Sequence, residues 1–218
     1  MALASRARTG AHRRRGATRA VLIAVACGLA AGGVTAVAQG ALPAPVASLA
    51  NSSAAWTLVA FALALPAPTG LAGAVCGAVS LAAMLAGYVL TDLLRGYPSS
   101  TGLMVLWGAA ALLAGPVLGL GAQWLRRDPG TRAALGLSAL CGVLIGEAAY
   151  GLMVLPDSTH PPYWWGQGLL GALLLVAGAV WKLRGPALIV QAVLFTAAAA
   201  TAFPVLYMHG NVVMLLVP

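Results

Sequence analysis

The sequence predicts an all-α, polytopic transmembrane bundle of about seven spans, and three observations predict it. Only 7% of the 218 residues are charged and 61% are hydrophobic, whereas a soluble domain carries about 25% charged residues to hydrate its surface. Apolar runs recur at lengths that cross a hydrocarbon core of about 30 Å as helices. Every Lys and Arg except Arg95 falls into one of three clusters lying between those runs. In lipid, only helices and closed barrels satisfy their own backbone groups. Continuous apolar runs without a two-residue alternation specify helices. The same facts exclude a soluble enzyme, a secreted disulfide scaffold and a nucleic-acid reader. The formal charge of +8 flanks spans and builds no aromatic-interleaved basic face.

The elements follow in order. Residues 1–19 form a basic tail carrying Arg6, Arg8, Arg13, Arg14, Arg15 and Arg19, expected to be cytoplasmic, disordered and in contact with anionic lipid headgroups. Residues 20–218 form one bundle domain. Its first span runs from Ala20 to Ala38. Ala36, Val37 and Ala38 resemble a signal cleavage site, but the apolar stretch exceeds the usual 7–15 residues, so an uncleaved helix is expected. The second span, Ser53 to Leu65, is short. The third covers Gly70–Leu90, the fourth Gly102–Trp124 and the fifth Arg132–Leu155. The sixth covers Tyr163–Val180 and the last Ala187–Phe203 or beyond, with Val205–Val217 either continuing a helix kinked at Pro204 or folding back along the outer face. The count falls to six if the second or last region is not a full crossing. With the N-terminus inside, all three basic clusters lie on the cytoplasmic face, as the positive-inside rule requires. The C-terminus is then outside, and the expected location is the plasma membrane.

Small residues dominate the spans. Gly28 and Gly32, Gly73 and Gly77, Gly115 and Gly119, and Gly142 and Gly146 are spaced for close helix approach. They serve either tight internal packing or a dimer face. Gly166, Gly168 and Gly171 match a dinucleotide fingerprint formally, but they lie within a span with no strand before them.

Two features carry the functional candidates. Asn51, Ser52 and Ser53 read as an N-cap cluster opening the short second span, and Pro43 and Pro45 prevent a regular helix before it. The uncharged stretch from Gly40 to Asn51 suits a segment dipping into the bundle from the outer side, or one lying flat in the interface. In the first case the helix end capped by Asn51 points its positive dipole into an outward cavity, where broken helices hold anionic solute groups. Trp56 lies one turn further on. The second feature is Glu147, near the middle of the fifth span. A carboxylate at that depth faces the bundle interior, paired or protonated, and is a functional candidate by default. Tyr150, at i+3, is placed to offer it a hydroxyl. The competing structural role is a buried acid held by Gln39, Gln123, Gln191 or a tyrosine to fix helix register.

The other polar residues have ordinary roles. Asp92 pairs with Arg95 at a helix end, and Asp128 sits in a turn. Asp157, Ser158 and His160 share one loop, a poor arrangement for a triad. Cys27, Cys76 and Cys141 are dispersed packing residues, and the histidines form no ligand set. Neither catalysis nor any metal or cofactor is expected. Trp107, Trp124, Trp164, Trp165 and Trp181, with Tyr163, read as interfacial anchors.

Several ordered stretches carry a resemblance. They are Leu49–Trp56 followed by Ala60 and Phe61, then Ala86–Tyr88, then Trp107 with Gly115, Pro116, Val117 and Gly119. Trp124–Arg127, and Gly146, Glu147, Ala148 and Tyr150, complete the set. Together, across Gly28 to Val180, they resemble an actinobacterial multipass membrane family known as domain of unknown function 6518. The resemblance implies a membrane bundle and no activity, and it marks Asn51, Trp56 and Glu147 as shared positions. A looser similarity, carried by Ala26 and Ala30, is to substrate-binding subunits of energy-coupling-factor vitamin transporters, which have six spans. Two readings follow: a membrane protein that binds or transports a small solute, and a non-catalytic envelope scaffold.

Overall fold

Every apolar run becomes a helix. The computed structural model describes residues 2–98 and 100–216, and the side chains of residues 13–98 and 100–209. The helices are α1 (Ala2–Ala41), α2 (Ser53–Ala64), α3 (Gly70–Leu94), α4 (Thr101–Arg127), α5 (Thr131–Val154), α6 (Pro161–Lys182) and α7 (Pro186–Leu216). A 3-10 helix, Ala44–Asn51, precedes α2. No strand occurs among the described residues. Six helices, all but α2, are long and apolar enough to cross a bilayer. The chain is a multipass membrane protein.

The second crossing is broken. The 12-residue α2 would cover only about 18 Å at 1.5 Å per residue. It meets the 3-10 helix at a 55° bend, and the bent pair counted as one span makes seven. Pro43 is the N-cap of the 3-10 helix and a second proline occupies its first turn, where a missing N–H costs nothing.

Two helices extend beyond the spans read from the sequence. The first helix continues back through the basic tail, where disorder is expected; Ala and Arg are strong helix formers. The last helix passes through Pro204 without ending, because a membrane helix tolerates proline more readily than it tolerates an unpaired backbone in lipid.

The glycine pairs are internal seams. Gly28 and Gly32 of α1 pack against α3, Gly73 and Gly77 of α3 against Gly115 and Gly119 of α4, and Gly142 and Gly146 of α5 against α7. At Gly32 an added Cβ would overlap the Met84 carbonyl, and at Gly87 the Leu29 carbonyl. A side chain at either position would push α1 and α3 apart. These pairs are accounted for within one chain, so they do not need a dimer face. Helix α5 is the most enclosed, with 61% of its most apolar stretch buried, against 39% for the next, α3.

Arg126, Arg127 and Lys182 gather at one end of the bundle, here the basic end. They also hold the end of the broken span. Gln123, only 1% exposed, donates to the carbonyls of Ala64 at 2.6 Å and Leu65 at 3.1 Å. Arg126 donates to Leu65, and Arg127 to Ala67 at 2.7 Å. These donors satisfy carbonyls that a helix C-terminus leaves open and complement its dipole. Replacing Gln123 by Leu should leave the Ala64 carbonyl with only the Ala67 N–H at 3.2 Å and cost about 0.5–1.5 kcal/mol. An unchanged thermal midpoint in detergent would refute that assignment.

Candidate functional site

At the opposite end, the break in the second crossing is organised by Glu147. Helix α5 runs seven residues beyond Glu147 to Val154, placing the carboxylate about 10 Å below that end at helical rise. It is 3% exposed. Its Oε1 accepts from the Ser53 N–H at 2.6 Å, and its Oε2 from the Ala54 N–H at 2.9 Å. The Ser52 hydroxyl donates to Oε2 at 2.6 Å, and Gln167 Nε2 donates to it at 3.1 Å. All four neighbours are donors, the complement of an ionised carboxylate.

Those bonds complete the start of α2. The N-cap is Ser52, whose Oγ accepts from the Ala55 N–H at 3.2 Å. The Ser52 N–H reaches Leu49. With Glu147 on the next two amides, the N–H groups that a helix leaves open at its start are all engaged. The arrangement works as a capping box whose acid comes from α5 instead of from α2 itself. The expected free anion site at this helix end is therefore filled by the protein's own carboxylate, and an anionic solute group has no N–H left there to bind.

Other expectations change with it. Asn51 is not the cap. Its Oδ1 accepts from Gln39 Nε2 at 2.6 Å, and Gln39 Oε1 accepts from the Tyr88 hydroxyl at 2.8 Å, tying α1, the 3-10 helix and α3 together. Tyr150 does not hydrogen-bond Glu147 among the described contacts; it packs on Tyr207, ring centroids 5.1 Å apart. None of Gln39, Gln123 and Gln191 is the glutamine on Glu147. That residue is Gln167, which also donates to the Leu144 carbonyl and accepts from the Tyr163 hydroxyl at 2.9 Å. A polar group inside the sixth apolar run is the same signal that singles out Glu147, and it would have found Gln167. Nor are all the aromatics interfacial anchors. Trp164 is 4% exposed, packs on Gly151, and donates to Thr159 Oγ1.

Two cavities open at this end and share Asn51 and Tyr207 as a common wall. One, about 210 Å³, runs along Thr35, Gln39, Asn51, Trp56, Tyr88 and Trp107. The other, about 350 Å³, reaches Ser48, Glu147, Tyr150, His160 and Trp164. Asn51 and Glu147 thus border one cavity, and Trp56 faces the other. No group of three metal-ligating side chains occurs among the described residues.

A family model described as a family of unknown function, DUF6518, matches residues 11–212. No curated protein and no solved structure matches the chain.

Proposed function

We propose, for a chain that belongs to the DUF6518 family of unknown function, a role in binding a small solute in the membrane, with transport as its concrete form. The observation that carries it is the broken second crossing. Its break lies within the bundle, beside Glu147 and the two cavities. Irregular backbone within a membrane bundle is tolerated when it lines such a space, and it is where membrane transporters place their solutes. Glu147 orders the break, while Asn51 and Trp56 contact the solute. The positive-inside rule puts the basic end in the cytoplasm, beside anionic headgroups, and the cavities outside. That places both described termini's helices, α1 entering and α7 leaving, as N-in and C-out.

Cysteine accessibility tests the reading. In a Cys27→Ser background, Asn51→Cys should react in intact cells with a membrane-impermeant thiol reagent. Cys76 and Cys141, both 0% exposed, should stay unmodified. Protection of the introduced thiol at the same level as those two would end the cavity reading. The scaffold reading keeps one observation in its favour: the hydrogen bonds to Glu147 all come from within the chain. It predicts a stoichiometric crosslinked partner and no saturable solute.

A further inference from the structure

The cavity beside the break is walled by aromatic rings. Trp56, Tyr88, Trp107 and Tyr207 all line it. Neighbouring centroids are 6.4 Å apart from Tyr88 to Trp56, 5.9 Å from Trp56 to Trp107 and 6.4 Å from Trp107 to Tyr207. Successive rings are inclined by 62°, 41° and 60°. Among the described residues, no Lys, Arg, Asp or Glu lines it.

Charge is divided between the two ends of the bundle. The cavity end holds Asp92, Glu147 and Asp157, with Arg95 as its cation among the described residues. Arg95 is committed: it donates to the Ala36 carbonyl at 2.6 Å, lies 3.7 Å from Asp92, and covers the Tyr97 ring at 5.3 Å. Arg126, Arg127, Arg132, Lys182 and Arg184 lie at the other end. A solute nearing the cavity therefore meets an end with more acids than cations, and inside it meets a row of π-systems.

We infer that the cavity lined by Trp56, Tyr88, Trp107 and Tyr207 binds a small organic cation, an alkylated amine or quaternary ammonium group. The inference rests on the solute-binding reading and narrows its solute class. An anion is disfavoured on both counts, since the helix N-terminus that would have attracted it is occupied by Glu147. The rings provide cation–π attraction in place of an ion pair, which suits a cation that must leave again. Asn51, at the border of the second cavity, is placed to hydrogen-bond a polar substituent on the solute.

The test uses the full chain purified in detergent, with choline as probe and 3,3-dimethyl-1-butanol as its uncharged isostere, at matched ionic strength. Intrinsic tryptophan fluorescence and calorimetry read the binding. Choline should saturate, and bind at least tenfold more tightly than the alcohol. Trp107→Leu should weaken choline about tenfold or more, the scale of one desolvated cation–π contact, whereas Trp107→Phe keeps a ring and should lose less. Equal affinity for choline and the alcohol would overturn the cation class while leaving solute binding intact. Choline binding that Trp107→Leu does not change would place the cation elsewhere. Absence of binding by either probe would also overturn the inference, and labelling of Asn51→Cys decides separately whether the cavity exists.

Discussion

Replacing Glu147 by Ala should cost at least about 3 kcal/mol of stability, and it is the most damaging single substitution expected of any polar residue in the bundle. The Ser53 and Ala54 amides would lose their acceptor, while the Ser52 hydroxyl can turn to Gln167 Oε1 at 3.0 Å and Gln167 Nε2 keeps the Leu144 carbonyl. Each unpaired buried donor costs about 1–3 kcal/mol. Glu147→Gln should fall between wild type and Ala. It keeps one acceptor oxygen, but its amide nitrogen turns donors toward a helix start that already consists of donors. Gln167→Leu should cost less than either, because the two amides of α2 keep their carboxylate. Thermal unfolding of the purified variants reads this order. Equal midpoints for Glu147→Gln and wild type would show that the carboxylate's charge contributes nothing to the helix start.

The second large effect belongs to the seam between α1 and α3. Gly32→Ala places a methyl group on the Met84 carbonyl, a backbone atom that cannot turn aside. The helices must separate, and overpacking of this kind costs about 1–3 kcal/mol. Gly87→Ala should do the same against Leu29. The double variant should cost less than the sum, because the first methyl group already opens the seam for the second. Gly108→Ala is the control. A Cβ there meets nothing within 4 Å, so the change should be neutral or stabilise by about 0.5–1 kcal/mol through the higher helix propensity of Ala. Equal losses at Gly32 and Gly108 would mean that backbone contact does not set the spacing of α1 and α3.

Much of the fold was legible because bilayer physics leaves few alternatives. Apolar run lengths gave the six long helices; the boundaries of α3 to α6 fall close to those expected, whereas α1 begins earlier and α7 ends later. The shortness of the second span and the prolines before it announced a break, and the structure shows one. The site was legible in parts. A carboxylate in mid-span must be paired, and Glu147 is; an N-cap cluster starts α2, and Ser52 caps it. Which groups pair could not be read, because that depends on how helices distant in sequence are rotated toward each other. Two features expected separately, the helix start and the buried acid, turn out to be donor and acceptor of one contact across 93–95 residues. That contact also reverses the expected chemistry: the helix start is closed to outside anions. Trp107 shows the same limit. Its position near a span end suits an interfacial anchor, and only the packing of α4 beside α2 turns it to the cavity.

The most direct test of solute binding at the break is thermal stabilisation of the purified chain across a panel of small amines and neutral solutes, with and without a blocked cavity. The block is Asn51→Cys in the Cys27→Ser background, alkylated with a maleimide. At least one solute should give a saturable rise in Tm on the unalkylated protein, and alkylation should abolish that rise. A rise that survives alkylation, or no rise across the panel, would contradict solute binding at the break of the second crossing.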